Sequence, residues 1–267
     1  MRELHELNVG LAVEAAELAR TRRAEGVAVA ASKSSLVDIV TEADREVERL
    51  VVDRIRAARP DDGILGEEGT SVAGTSGFTW VIDPIDGTVN YFYDIPAYAV
   101  SIALVEGEPD PTTWRAVSAA VVNAATGERY EALRGGGARR DGREIRVADA
   151  VPAEVALVAT GFGYDAGRRQ RQAAVVQRLI GSVRDIRRGG SASLDLAWVA
   201  SGRLNAYYEV GLQPWDMAAG ALLVEEAGGV VRGWQGAPAS TAFLLAGHAR
   251  VADELAVLLA DMRPDEI

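Results

Sequence analysis

Trp80-Val81-Ile82-Asp83-Pro84-Ile85-Asp86-Gly87-Thr88-Val89-Asn90 is the stretch on which the reading of this chain turns. Thr79 to Ile82 is β-branched and aromatic, with Gly77 before it and Pro84 after it, which predicts a buried strand ending at Asp83. Pro84 stops that strand and Asp86 returns three residues later, so the two carboxylates can converge with the Ile85 carbonyl between them. Two acids and a backbone oxygen at a strand terminus suit a hard cation such as Mg²⁺. An Asp-Pro turn with an Asx cap on the next helix would use the same residues. Gly87 and Thr88 follow at a helix start, where unpaired N–H groups and the helix dipole favour an anion such as phosphate.

Upstream, Leu4, Leu7, Leu11, Ala15 and Leu18 recur at three- and four-residue steps and predict a helix over residues 4–23. Thr41-Glu42-Ala43-Asp44 has capping-box spacing and opens a second helix whose inner face is Val47, Leu50, Val51 and Ile55. Downstream, strands are expected at 98–105, 116–122 and 128–133, followed by a hairpin turn at Arg140-Asp141-Gly142-Arg143. The second half then alternates: strand 155–159, a Gly-rich turn at 161–163, helix 168–180, strand 183–187, helix 191–201 and strand 206–210. Helix 216–227, strands 229–232 and 242–246 and a closing helix to about 261 complete it. This alternation predicts an α/β protein of layered helices and sheets. The join at 146–153 is short, so residues 1–267 read as one globular unit with subdomains of about 1–148 and 149–267 sharing an interface.

Composition narrows the chemistry. The chain has 267 residues, 48% hydrophobic and 25% charged, an ordinary globular profile that excludes disordered and fibrous classes. Lys+Arg 28 against Asp+Glu 39 leaves a net charge of −11, which opposes nucleic acid and anionic membranes unless a local basic patch overrides it. There is no cysteine, and the two histidines, His5 and His248, lie near the ends, which disfavours thiol nucleophiles, zinc-thiolate sites and a Ser-His-Asp triad. Lys33 is the only lysine, and without a Gly-Lys pair there is no ordinary P-loop. The start of the chain has no basic segment leading into an apolar one, so a cytoplasmic protein is expected.

Three further segments place acids in suggestive settings: Glu67-Glu68 in a glycine-flanked loop, Asp216 after Pro214-Trp215, and Glu209 after Tyr207-Tyr208. Each has an ordinary alternative: a solvated turn, a helix N-cap and an exposed edge charge, respectively. Spacing alone does not bring them together.

From Lys33 to Gly229 the chain resembles the inositol monophosphatase family of Mg²⁺-dependent, lithium-sensitive sugar phosphatases. Asp83-Pro84-Ile85-Asp86-Gly87-Thr88 with Asn90 looks like the first family signature, and Trp215-Asp216 through Ala218-Ala219-Gly220 to Glu226-Ala227-Gly228-Gly229 looks like the second. Gly66-Glu67-Glu68, Asp38 to Asp44, Gly190-Ser191-Ala192 with Leu194-Asp195, and Tyr207-Tyr208-Glu209 also resemble family blocks. The resemblance implies two or three Mg²⁺ ions: Glu67, Asp83 and the Ile85 carbonyl on the first, Asp83, Asp86 and Asp216 on the second, and a weaker third near Glu67. It implies that the Gly87 and Thr88 N–H groups bind phosphate, that Gly190, Ser191, Ala192 and Glu209 contact a polyol, and that Lys33 lies near the catalytic loop. Glu67, with Thr88 and Asp44 behind it, would orient water for in-line attack on a phosphate monoester. The expected partners are a small phosphorylated polyol, first inositol-1-phosphate, and a second copy of the chain in a homodimer; no nucleic acid or membrane is expected. Histidinol phosphate, fructose bisphosphate and 3′-phosphonucleotides are alternative substrates. A regulatory protein that docks transcription machinery through arginines at 139–146 and 168–171 is the alternative outside enzymes.

Overall fold

The computed structural model describes residues 1–27, 29–32, 39–260 and 267. The chain runs α1 (Arg2–Glu25), β1 (Val29–Ser32), β2 (Ile39–Thr41), α2 (Glu42–Ala58), β3 (Gly63–Gly66), β4 (Ser71–Val72), β5 (Phe78–Asp86), α3 (Thr88–Tyr93), β6 (Ala99–Glu106), β7 (Arg115–Asn123), β8 (Arg129–Leu133), β9 (Ala138–Arg140) and β10 (Arg143–Ile145). It continues with β11 (Leu157–Thr160), α4 (Ala166–Leu179), β12 (Asp185–Arg187), α5 (Ala192–Ala200), β13 (Ala206–Glu209), α6 (Pro214–Glu226), β14 (Val230–Arg232), β15 (Leu244–Gly247) and α7 (Ala249–Leu258). Strands β3 to β10 form an eight-stranded sheet in the order β10-β9-β8-β7-β6-β5-β3-β4, and β11 to β15 a five-stranded sheet in the order β12-β11-β13-β15-β14. Among the described residues no helix is long and apolar enough to cross a membrane.

Side-chain alternation in the strands builds the layers. On β5 and β6 of the large sheet, Trp80, Ile82, Val100, Ile102 and Leu104 pack on the apolar faces of α1 and α2. The intervening Val81, Ala103 and Val105 face the other way, onto α5 and α6. Those two helices also receive Ala159, Tyr207, Leu244 and Ala246 from the small sheet. The opposite face of the small sheet, with Val158, Ala206, Tyr208 and Leu245, is covered by Leu179 of α4 and by Val251, Ala252 and Leu255 of α7. The result is a helix-sheet-helix-sheet-helix sandwich with α5 and α6 as its central layer, so the expected α/β class of alternating layers holds.

Two details depart from the sequence reading. β5 does not end at Asp83: pairing with β6 runs Asp83↔Ser101 and then resumes at Asp86↔Ala99, so Pro84 and Ile85 face a single residue, Val100, across a bulge. Proline is accommodated because a ladder hydrogen bond is missing there. Asp83 and Asp86 are three apart, which in a regular strand points them to opposite faces; the extra residue returns both to the same side. On α2, Leu50 is only half-buried, and Glu48 takes an inward position one turn after Asp44.

The central layer is tight. A Cβ on Gly220 of α6 would lie 2.5 Å from both Cβ and Cδ1 of Leu196 on α5. Gly220→Ala is therefore expected to lower stability by about 1–3 kcal/mol through overpacking. Adding Leu196→Ala should cost less in the Gly220→Ala background than in the parent, since the new methyl group occupies part of the space that the shortened side chain vacates. Urea unfolding of the four proteins measures that coupling.

Candidate active site

The central helices α5 and α6 both begin beside the carboxyl ends of β5 and β13, and a cleft of about 450 Å³ opens there. Alternation on β5 aims Asp83 at this layer, and alternation on β13 aims Glu209, two residues after Tyr207, at the same space. Asp216 enters from α6. It is not the N-cap; Gln213 is, and Asp216 occupies the third helical position, where its Oδ2 accepts the Gln213 N–H at 2.6 Å. This capping box holds its carboxylate at the helix start.

Asp83, Asp86 and Asp216 each offer an oxygen within 4.8 Å of the others. Asp83 is 1% exposed, and its Oδ1 is buried with no hydrogen-bond donor. Burial, followed by the charges of Glu67, Asp86 and Asp216, pushes the Asp83 carboxyl well above the usual carboxylate range. Asp216 is raised likewise, by burial and then by Asp86 and Glu67. A buried carboxylate oxygen without a donor, crowded by further acids in low dielectric, is unfavourable by itself and fits a hard cation with oxygen ligands.

Asp86 has a second role. Ser191, the N-cap of α5, makes no side-chain cap. Asp86 supplies one instead: its Oδ2 accepts Ser193 N–H at 2.7 Å, Ser191 Oγ–H at 2.6 Å and Ser193 Oγ–H at 2.5 Å. Its Oδ1 lies 3.3 Å from Ala192 N–H. These donors favour the anion and oppose the upward push of burial, which remains the larger effect. The carboxylate is thus fixed by the helix end it satisfies. Beside it, Gly87 has φ 92°, and a Cβ there would lie 3.0 Å from the Ala97 carbonyl and 3.1 Å from that of Gly190, so the position demands glycine. Asn90 Nδ2 donates to the carbonyls of Ala97 at 2.7 Å and Gly189 at 2.9 Å, which seats the Gly189-Gly190 turn against α3.

Thr88 and Asp44 form a buried relay. Thr88 Oγ1 lies 3.2 Å from Asp44 Oδ1 and 3.2 Å from the Ile85 carbonyl. Asp44 is held in turn by the Thr41 N–H at 2.8 Å and by the Thr41 hydroxyl. Glu67 stands in the cleft wall after β3, its N–H bonded to the Ile82 carbonyl of β5 at 3.1 Å.

On the far wall the Tyr207 hydroxyl donates to Glu209 Oε2. Burial pushes the Glu209 carboxyl up to about 7, against the opposing hydrogen bond from Tyr207. β13 lies inside its sheet, between β11 and β15, so Glu209 is not the exposed edge charge that its sequence setting allows. Asp195 of α5 lies nearby and is also raised by burial and by Glu209. Arg168, from the arginine group at 168–171, lines the cleft, as does Arg188.

One cleft therefore gathers Glu67, Asp83, Ile85, Asp86, Gly87, Thr88, Gly190, Ser191, Ala192, Glu209 and Asp216. Asp44 lies behind Thr88 and does not line it, and Lys33 falls outside the described residues. Sequence reasoning passed over Glu48 and Ser193; the four-residue step from Asp44 to Glu48 on one helical face was the available signal for the first.

A family model described as the inositol monophosphatase family matches residues 1–263. The chain is 43% identical to a Mycobacterium tuberculosis protein named inositol-1-monophosphatase SuhB, over 93% of this chain and 90% of the relative. It is 39% identical to an Escherichia coli K12 protein named Nus factor SuhB, over 89% of this chain and 87% of that one. The crystal structure of the extragenic suppressor protein suhB from Bartonella henselae superposes with a TM-score of 0.89 at 32% identity, covering 98% of this chain and all of the other.

The Glu209 shift has a measurable consequence. Its folded value, about 7, exceeds its unfolded value of 4.5, so the stability it contributes is fully present below pH 4.5 and is lost as pH rises through 7. Glu209→Gln is expected to flatten the fall in stability of the metal-free protein across that window, leaving the variant more stable than the parent at pH 8. Denaturation midpoints at pH 4.5, 6 and 8 test this.

Proposed function

The chain belongs to the inositol monophosphatase family, and on that premise we propose that it hydrolyses a phosphate monoester, inositol-1-phosphate first, to the free polyol and phosphate with Mg²⁺ bound among its acids. The observation that carries this reading is the buried, donorless Asp83 Oδ1 among Glu67, Asp86 and Asp216 at the floor of a cleft. Glu67, Asp83 and the Ile85 carbonyl would hold one ion and Asp83, Asp86 and Asp216 a second. Bound there, Mg²⁺ would offset the phosphate charge and make a water more acidic.

The protein groups do the rest by orientation. Thr88 has a single hydroxyl proton; directed at Asp44, it leaves the Thr88 oxygen lone pairs for the attacking water. Glu67 takes the proton that this water loses. The Gly87 and Thr88 N–H groups receive the phosphate oxygens. Ser191 and Ala192 border the polyol, and Glu209, steadied by Tyr207, accepts from its hydroxyls. No covalent phosphoenzyme is needed. The two histidines are engaged elsewhere, His5 with Ser118 and His248 as the cap of α7.

A regulatory reading has its own support in the relatives named Nus factor SuhB. The arginine hairpin at 139–146 is a weak argument for it, because Arg140 pairs with Glu128 and Arg146 with Glu144, which reduces any basic patch. A homodimer accompanies the enzymatic reading, and sedimentation velocity tests it.

With Mg²⁺, turnover of inositol-1-phosphate is expected to exceed that of histidinol phosphate, fructose-1,6-bisphosphate and a 3′-phosphonucleotide. Preference for any of the last three would replace the substrate. Asp83→Asn and Asp216→Asn should each lower Mg²⁺-dependent turnover roughly a thousandfold, the equivalent of several kcal/mol of charge stabilisation. Full activity in either variant rejects the metal assignment.

A further inference from the structure

Helix α2 supports the cleft wall twice from behind, through two acids on one face. Asp44 contacts Thr88, as described above. Glu48, four residues on, is 3% exposed and belongs to no part of the reaction proposed above. Its Oε2 accepts the Glu68 N–H at 2.8 Å; its Oε1 accepts the Thr70 hydroxyl at 2.6 Å and lies 3.2 Å from the Thr70 N–H. Glu48 thus uses both oxygens to hold the backbone directly after Glu67. The loop lies so close that a Cβ on Gly66 would sit 2.4 Å from Glu48 Oε2, so the residue before Glu67 must be glycine while the carboxylate stays there. On its other side the Glu67 N–H bonds to the Ile82 carbonyl of β5, one residue before Asp83. Glu67 is therefore clasped between the strand that carries Asp83 and the helix that carries Asp44.

We propose that Glu48 is a positioning residue for the metal site: it sets the distance from Glu67 to Asp83, and α2 acts as a rail that indexes Glu67 through Glu48 and Thr88 through Asp44. The proposal rests on the reading that Glu67 is a metal ligand. A carboxylate is required because all of its partners are donors. Glutamine would turn an N–H toward one of the backbone N–H groups, leave that donor unpaired and free the loop.

The test is Mn²⁺ binding to the full chain, followed by electron paramagnetic resonance, with Mg²⁺ half-saturation of turnover as a second readout. Glu48→Gln is expected to weaken Mn²⁺ binding by about 10- to 100-fold, the range for groups that orient ligands without touching the metal. Thr70→Val removes only the 2.6 Å hydroxyl bond and should give a smaller shift in the same direction, in a variant that disturbs the fold least. Asp62→Asn is the structural comparator: Asp62 is a buried acid that accepts from Arg59 at 2.9 Å and from Trp80 Nε1 at 2.9 Å, outside the cleft. It should lower the unfolding midpoint while leaving Mn²⁺ affinity within about twofold of the parent, given the usual independence of distant sites. Unchanged Mn²⁺ affinity in folded Glu48→Gln and Thr70→Val overturns the proposal. So does a loss in Asp62→Asn equal to that in Glu48→Gln, which would mark general loosening. A parent that binds no Mn²⁺ overturns the metal reading and this inference together. A parent that binds Mn²⁺ but hydrolyses no phosphate monoester overturns the function alone.

Discussion

Asp83, Asp86, Asp216 and Glu67 place their charges against one another at the end of the central helix layer, and the surrounding structure exists in a form that tolerates this. At Asp83, burial and three neighbouring acids all oppose ionisation. Like charges in low dielectric repel strongly, so the chain can hold them only where other interactions leave no alternative position. The β5 bulge turns Asp83 and Asp86 to one side, the capping box fixes Asp216, and α2 with Ile82 clasps the Glu67 loop. Each constraint is local and has its own stabilising reason.

Asp86 shows how the site and the fold share atoms. By capping α5 it joins the large sheet to the central layer, so the same carboxylate that narrows the cleft also orders the helix under it. Losing it would leave N–H groups of α5 unpaired as well as changing the charge of the cleft. Glu48 is a parallel case, since one carboxylate ties a helix to a loop and sets the reach of Glu67. Acids of this kind look ordinary in a sequence because their importance lies in backbone groups far along the chain.

The layered class was legible because each strand and helix carries its periodicity locally. β5, β6 and β7 alternate between two helical layers, and α1 and α2 keep their apolar stripes. The ends were less legible. Pro84 normally terminates a strand, yet β6 continues to pair beyond it, and only the partner strand reveals a bulge. Pro214 in the first helical turn moves the start of α6 two residues ahead of Asp216, so an apparent N-cap becomes the acid of a capping box with Gln213.

The sequence by itself determined the kinds of element, their order, the acid-rich turn at Asp83 to Thr88 and the absence of any thiol or well-placed imidazole. Through its resemblance to a known family it also named the acids that the cleft gathers. Tertiary structure alone decided that Glu67, Glu209 and Asp216 share one space with Asp83 and Asp86. It also decided that Asp86 caps a helix 105 residues away and that Glu48 faces a loop and not solvent. The physical reason is that periodicity and capping act between near neighbours along the chain. Charge convergence and burial depend on which layer each face meets, and that is settled only when both sheets close on the central helices.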